Sequence, residues 1–329
     1  MARRGNTAEL LRLLRETQKG GLLSGEQASR LLGVSRTAVW KQITSLRSAG
    51  YLIEAIPSQG YRLAGEPDLL NEAALMQALA DTVVVGRTII CRTETISTNA
   101  DAFRSAEDGA TEGTVVLADR QTGGKGRLGR RWESPEGVNL YCSVVMKPRL
   151  APSEAPQLTF LSAVATARAI TAVTGLQPAI KWPNDLLLNG RKVAGLLNEM
   201  SAETDRISFV ILGIGVNLNM QADQFPGDLR SPATSLLLES GKAVSRLHFA
   251  SILLQELDRE YVRFMREGFD PVRYEWSRLC NAAGRTVRVD TGAGLLQGVF
   301  DGLDRDGALL VRLSDGTLER VLSGDVILV

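Results

Sequence analysis

Residues 121–132 read Gln121-Thr122-Gly123-Gly124-Lys125-Gly126-Arg127-Leu128-Gly129-Arg130-Arg131-Trp132, and their flanks decide the fold. Four glycines and four cations fall within the ten residues from Gly123, with no acid among them. Glycines let backbone N–H groups turn inward as a nest and the cations add charge, so the segment suits an anion that it orders around. A solvated basic loop is the alternative reading. The string Gly124-x-Gly126-x-x-Gly129 has the form of a dinucleotide fingerprint, which requires a strand before it and a helix after it. Thr114–Ala118 supplies the strand, but a turn (Glu133–Gly137) and a strand-like run (Asn139–Met146) follow it. With no helix available, a Rossmann unit is excluded. A phosphate-binding P-loop is excluded too, because Gly124-Lys125 is followed by Gly126 rather than Ser or Thr.

Further along, Lys181-Trp182-Pro183-Asn184-Asp185-Leu186-Leu187-Leu188-Asn189-Gly190-Arg191-Lys192-Val193-Ala194-Gly195-Leu196-Leu197 places Asn-Gly between apolar runs, a strong hairpin signal. A two-residue loop pairs Leu188 with Arg191, Leu187 with Lys192 and Asp185 with Ala194. Asp185 and Lys192 then share a face as diagonal neighbours, about 7–8 Å apart and within reach of a lysine side chain. Such a pair is either a surface ion pair or a working couple, with Asp185 holding Mg²⁺ and Lys192 neutralising a carboxylate or phosphate. Arg191, Lys181 and the apolar neighbours favour the second. A strand over Ile207–Leu218 carries Gly213-Ile214-Gly215-Val216-Asn217, where glycines would let a ligand lie on the backbone and Asn217 offers donors and an acceptor.

The N-terminal residues 1–65 hold ten Lys or Arg against four Glu, a net +6 within a chain of net +1. An amphipathic helix over residues 7–17, a second over 25–32 capped by Ser24, a turn at Gly33-Val34 and a third helix over 36–49 capped by Ser35 precede a short hairpin (51–55 and 60–63). Val39, Ile43 and Leu46 form the third helix's inner stripe. Arg36, Thr37, Lys41, Thr44 and Arg47 fall largely outside it. This is the winged helix-turn-helix plan, whose third helix fits the major groove, with Arg36, Thr37 and Lys41 the candidate DNA contacts. A three-helix protein-binding module is the alternative. Ala64-Gly65-Glu66-Pro67 reads as a linker.

At 329 residues two or three domains are expected. Residues 66–279 mix strands with long helices at 156–174 and 245–265, and residues 280–329 read as five short strands of a β-barrel about the size of an SH3 domain. Three widely spaced cysteines without any CxxC and a single histidine, His248, exclude a disulfide scaffold and a histidine-based metal cage. No signal peptide or long apolar run is present, so a cytoplasmic protein without membrane attachment is expected.

Together, Ser97-Thr98-Asn99, Gln121 with its Gly-Gly-Lys-Gly loop, Lys-Trp-Pro-Asn-Asp (181–185), Arg-Lys-Val-Ala-Gly (191–195) and Gly-Ile-Gly-Val-Asn (213–217) resemble, in this order and with these flanks, the bifunctional biotin protein ligases that double as biotin operon repressors. The resemblance covers essentially the whole chain. It implies an α+β multidomain protein: a winged helix-turn-helix (1–65), a mixed-sheet catalytic domain of the biotin and lipoate ligase kind (66–279) and an SH3-like barrel (280–329). It implies formation of biotinyl-5′-adenylate from biotin and MgATP, then transfer to a lysine of the biotin carboxyl carrier protein of acetyl-CoA carboxylase. By position, Ser97, Thr98, Asn99, Gln121, Gly124, Lys125, Gly126, Arg127 and Lys192 would surround biotin. Arg130, Trp132, Lys181, Asn184, Asp185 and Asn217 would surround the nucleotide, Asp185 would be metal-associated, and Lys192, Arg127 and Asp185 would be catalytic. Lys125 and Leu128 stand where the familiar repressor-type loop carries arginines, and lysine lacks arginine's planar fork. Two other readings are a ligand-sensing transcription factor with a non-catalytic ligase-like body and a lipoate- or octanoate-attaching enzyme, whose relatives normally lack the winged-helix module. Ligand-promoted homodimerisation on a two-fold DNA operator is also expected.

Overall fold

The structure, a computed structural model, describes residues 2–17, 21–48, 50–65, 68–227, 232–292 and 294–329. Ala49 and the Glu66-Pro67 part of the expected linker lie outside them. The chain forms two compact units, Met1–Asp68 and Leu69–Val329.

The first unit contains helices α1 (Ala2–Glu16), α2 (Gly25–Leu32) and α3 (Arg36–Ser48) and strands β1 (Leu52–Ile56) and β2 (Gly60–Gly65). Ala64 and Gly65 are therefore strand residues. The capping logic read from the sequence operates at α2. The Gln27 N–H donates to Ser24 Oγ at 3.0 Å, and the Ser24 N–H donates to Gln27 Oε1 at 3.1 Å, a reciprocal box. Leu10, Leu14, Val39 and Ile43 are fully buried at the centre of this unit. Leu23 and Tyr61 exchange backbone hydrogen bonds at 2.9 Å, tying the wing to the segment before α2.

The second unit runs α4 (Glu72–Ala78), β3 (Thr88–Thr95), α5 (Thr98–Glu107), β4 (Thr114–Gln121), β5 (Leu140–Met146), α6 (Gln157–Thr174), β6 (Ala179–Lys181), β7 (Asp185–Leu188), β8 (Arg191–Ala202), β9 (Ile207–Val216), α7 (Leu236–Ser240), α8 (Arg246–Glu267) and α9 (Asp270–Leu279). Five short strands follow: β10 (Thr286–Asp290), β11 (Leu295–Leu303), β12 (Leu309–Arg312), β13 (Leu318–Val321) and β14 (Asp325–Leu328). The first seven strands form a mixed sheet of order β3-β4-β5-β9-β8-β7-β6, in which only β3 and β4 are parallel. The last five form an antiparallel sheet of order β13-β12-β11-β10-β14, as in an SH3-like fold.

Strand parity assigns the sheet's two faces. Val115, Leu117, Val144, Leu212, Ile214 and Leu196 point to the large core beneath α6 and α8, which also includes Trp276, Val287 and Phe300. Val116, Val145 and Ile211 point to the other face, where α5 packs through Ala102, Ala106 and the Phe103–Phe209 edge contact at 4.9 Å. On this second face the row Tyr141, Gly215, Gly195 continues beyond the end of α5, and its glycines leave a hollow. At the rear, Asp258 of α8 is buried and accepts the N–H groups of Val83, Val84 and Val85 at 2.9, 2.7 and 2.8 Å, fastening α8 to the segment before β3.

Candidate active site

A cavity lies over the glycine row. Its wall includes Ser97, Thr98, Asn99, Gln121, Lys125, Gly126, Arg127, Arg130, Trp132, Asn184, Asp185, Lys192 and Asn217, so most of the residues read from the sequence converge on one place. Gly124 and Lys181 are not in that wall. Gly124 is packed behind it, where a Cβ would lie 2.5 Å from the Trp132 carbonyl. Lys181 is half-buried as the register partner of Asp185.

The hairpin carries Lys192 and Asp185 on one face, with Nζ 2.6 Å from Oδ1. The expected register holds at the turn and then fails. Leu188 faces Arg191 and Leu187 faces Lys192, but Leu186 faces Ala194 and Asp185 faces Gly195, because β8 bulges at Val193. The bulge sends both Val193 and Ala194 into the core, where each is fully buried, and returns Gly195 to the site face. Space at Gly195 and Gly215 is taken by the indole of Trp132, whose ring atoms come within 2.9 Å and 2.7 Å of where the two Cβ atoms would be. Lys192 Nζ lies 5.4 Å from the indole centroid, a cation–π distance. Gly213 is likewise covered by the Asn99 amide, 2.2 Å from a Cβ there. These glycines therefore seat protein side chains, where the sequence suggested a ligand on bare backbone.

Polar groups at the start of α5 form the opposite wall. Thr98 N–H donates to Gln121 Oε1 at 2.8 Å, Gln121 Nε2 donates to Ser134 Oγ at 2.9 Å, and Ser134 Oγ donates to the Trp132 carbonyl at 3.0 Å. Ser143, a residue the sequence reading missed, donates from its buried hydroxyl toward Asn99 Oδ1 (2.6 Å) and Thr98 Oγ1 (2.8 Å). Ser97 occupies the N-cap of α5 without a side-chain cap bond, which leaves its hydroxyl outside the helix's own bonding. Asn184 and Asn217 are more committed than expected. Asn184 Nδ2 donates to the Leu196 carbonyl at 2.7 Å and its Oδ1 accepts from Arg127 at 3.3 Å, while Asn217 Nδ2 donates to the Thr234 carbonyl at 3.0 Å.

The glycine-rich loop closes on itself. Gly126 N–H donates to the Arg130 carbonyl at 2.7 Å and Trp132 N–H to the Gly124 carbonyl at 2.9 Å, with Leu128 left-handed at φ +57° between them. Its cations reach the C-terminal sheet, a connection absent from the sequence reading. Arg130 pairs with Asp325, and Arg127 lies 4.0 Å from that carboxylate and 3.4 Å from Ser323 Oγ. Burial holds the Arg127 guanidinium below its ordinary pKa against the opposing pull of Asp325 and Asp185. Burial pushes the Asp325 carboxyl up, but hydrogen bonding from Arg130 and the charges of Arg130, Arg127 and Lys181 outweigh it, so its pKa lies below the usual carboxylate value. Cys142, at the cavity wall, has its thiol pushed up to about 12 by burial, which removes it as a nucleophile at neutral pH.

Taken by itself, the first unit exposes Arg36, Thr37 and Lys41 on α3, as the sequence indicated, together with Trp40 at 56% exposure, which it did not single out. Arg47 is turned to the Ile53 carbonyl, with donors at 2.7 and 2.9 Å, and braces the wing.

Comparison with known proteins agrees with this architecture. The model of the biotin/lipoate A/B protein ligase family matches residues 89–217, an HTH domain matches 6–62, and the biotin protein ligase C terminal domain matches 283–329. The bifunctional ligase/repressor BirA of Bacillus subtilis (strain 168) is 40% identical over 304 residues, 92% of this chain and 93% of that protein. The chain belongs to the biotin protein ligase family. A biotin–[acetyl-CoA-carboxylase] ligase of Paracoccus denitrificans is 37% identical over 68% of this chain and 93% of its own length. The structure of the Aquifex aeolicus biotin protein ligase in complex with biotin and ATP superposes with a TM-score of 0.63 at 30% identity, covering 74% of this chain and 99% of that one. No helix among the described residues of this ligase is long and apolar enough to cross a membrane.

Proposed function

We propose that this chain condenses biotin with ATP to biotinyl-5′-adenylate, passes the biotinyl group to a lysine of a biotin carboxyl carrier protein, and represses transcription through its winged-helix unit. The observation that carries the catalytic reading is the Lys192–Asp185 couple, 2.6 Å apart on the floor of the cavity whose wall also holds Thr98, Gln121 and Arg127. In the first step a biotin carboxylate oxygen attacks the α-phosphorus, the bond to the β-phosphate oxygen breaks, and pyrophosphate leaves. Lys192 and Arg127 offset the negative charge that gathers as two anions approach in a site shielded from water. Ser97, Thr98 and Gln121 present hydroxyl and amide groups to the ureido ring, and Asn99 stands behind them. In the second step the carrier's lysine amine attacks the acyl carbon, AMP leaves and the amine loses a proton. No protein nucleophile is required.

Asp185 would hold a magnesium ion: it offers one carboxylate toward the cavity, and the described residues contain no cluster of three acidic, His or Cys side chains of the kind that cages an ion alone. When bound there, magnesium neutralises charge on the phosphate oxygens. Asn184 holds Arg127, and Trp132 borders the nucleotide side; Arg130, Lys125, Gly126 and Asn217 complete the surroundings. Gly124 acts by packing, and Lys181 by its charge behind Asp185. The working parts are DNA recognition in residues 1–65, with Arg36, Thr37 and Lys41 at the duplex, acyl activation in 66–279, and support in 280–329. Loading with adenylate favours a homodimer on a two-fold operator, and the setting is the cytoplasm; one DNA module per chain and the absence of a membrane helix among the described residues support this.

The test is pyrophosphate release from biotin and MgATP, followed by the mass of a carrier domain. The wild-type protein should release pyrophosphate only with biotin present. Lys192→Ala should slow release by about 10²–10³-fold. Wild-type protein that releases none in the presence of biotin would leave the non-catalytic sensor or, if lipoate or octanoate restores release, the lipoate- or octanoate-attaching enzyme.

A further inference from the structure

Behind the ligand-facing wall, Asn99 does not end the hydrogen-bond chain. Its Nδ2 group donates to Glu199 Oε2 at 2.7 Å and to the Leu197 carbonyl at 3.1 Å. Both partners are acceptors only, so the amide can point only one way, with Oδ1 toward Ser143. Asn99 Oδ1 cannot donate, so the Ser143 proton goes to it across 2.6 Å. The Thr98 hydroxyl, 2.8 Å from Ser143 Oγ, turns its own proton to Gln121 Oε1 at 3.1 Å. Gln121 Oε1 receives the Thr98 N–H as well, at 2.8 Å, and Gln121 Nε2 points to Ser134. The Glu199 carboxylate and the Leu197 carbonyl thus set the Asn99 amide and the Ser143 rotor, which leaves the Thr98 Oγ1 lone pairs free to accept.

We propose that Glu199 is a positioning residue: its carboxylate fixes the polarity of this chain so that Thr98 meets the ligand as an acceptor, matched to an N–H of a cyclic urea. The proposal rests on the biotin reading of the cavity. Glu199 does not line that cavity, and β8 places it level with Ile211, beside α5. Without it, the Leu197 carbonyl alone resists rotation of the Asn99 amide. A turned amide would donate to Ser143 and push the Ser143 proton onto a Thr98 lone pair, taking up acceptor capacity that the ligand's N–H needs.

The experiment is biotin and ATP saturation kinetics, read as pyrophosphate release, with thermal midpoints, for wild type, Glu199→Gln, Glu199→Ala, Asn99→Asp and the double variant Asn99→Asp/Glu199→Gln. Glu199→Ala should raise KM for biotin about tenfold, the scale of one hydrogen bond to a charged group, with kcat and KM for ATP within twofold. Glu199→Gln keeps an acceptor and should stay within about threefold of wild type. Asn99→Asp sets carboxylate against carboxylate and should lose biotin use about a hundredfold. The double variant exchanges amide and carboxylate, restores the direction of the chain and should recover at least tenfold of that loss. Unchanged biotin KM in Glu199→Ala, or parallel loss of ATP KM, kcat and thermal midpoint, overturns the proposal. So does a double variant no better than Asn99→Asp, which decides the matter if Glu199→Ala does not fold. Wild-type protein that ignores biotin refutes the biotin reading instead.

Discussion

Lys192 and Asp185 were legible because a hairpin has period two and its Asn-Gly turn sets the count; both facts are local. The seat of Trp132 was not. Nothing in the spacing of Gly195 and Gly215 says that an indole from a distant loop fills the space their missing side chains leave, and the same glycines read equally well as room for a ligand. The contact is steric and testable. Gly215→Ala places a Cβ 2.7 Å from the indole, so the ring and the loop behind it must move. Adenylate formation should fall about a hundredfold, the scale of an ångström-sized misplacement, as measured by single-turnover pyrophosphate release. Full activity in that variant would separate Trp132 from the chemistry.

Among elements, the helices were read best where caps declared them: Ser24 before α2 and Ser35 before α3 each accept a backbone N–H from the first turn. The β8 bulge escaped because Val193 and Ala194 are both apolar, so the hydrophobic pattern is satisfied in either register. Anchoring by Asp258 escaped as well, since an acid in an amphipathic helix ordinarily faces water. Asp258→Ala leaves three N–H groups without their acceptor and should destabilise the second unit by about 3 kcal/mol, seen as a lowered urea midpoint with an unchanged slope. On α3 the exposed cations predict a different signature. Arg36→Ala/Lys41→Ala should weaken operator and non-operator DNA alike and reduce the slope of log K against log salt by about two, one for each phosphate left without its cation. An unchanged slope would assign α3 to a protein partner.

For the whole molecule, the order of motifs fixed the family, but the reach of the C-terminal sheet into the site was invisible: Asp325 lies in a stretch whose alternation marks only a strand. Its pairing with Arg130 makes the loop's resting position a property of two regions nearly two hundred residues apart. Asp325→Asn should free the loop, so that trypsin cuts after Lys125, Arg127, Arg130 or Arg131 about tenfold faster in the unliganded protein. In wild type that rate, corrected for the protease's own profile, should stay flat from pH 8 to 5. A carboxyl whose folded pKa is lowered contributes its stabilisation above the unfolded value, about 3.9, and loses it only as pH falls through the still lower folded value. The same arrangement bears on synthesis. A ribosome that has made every residue of the cavity floor has still not made the clasp for its cationic cover, so a nascent chain cannot secure that cover until residue 325 has left the exit tunnel.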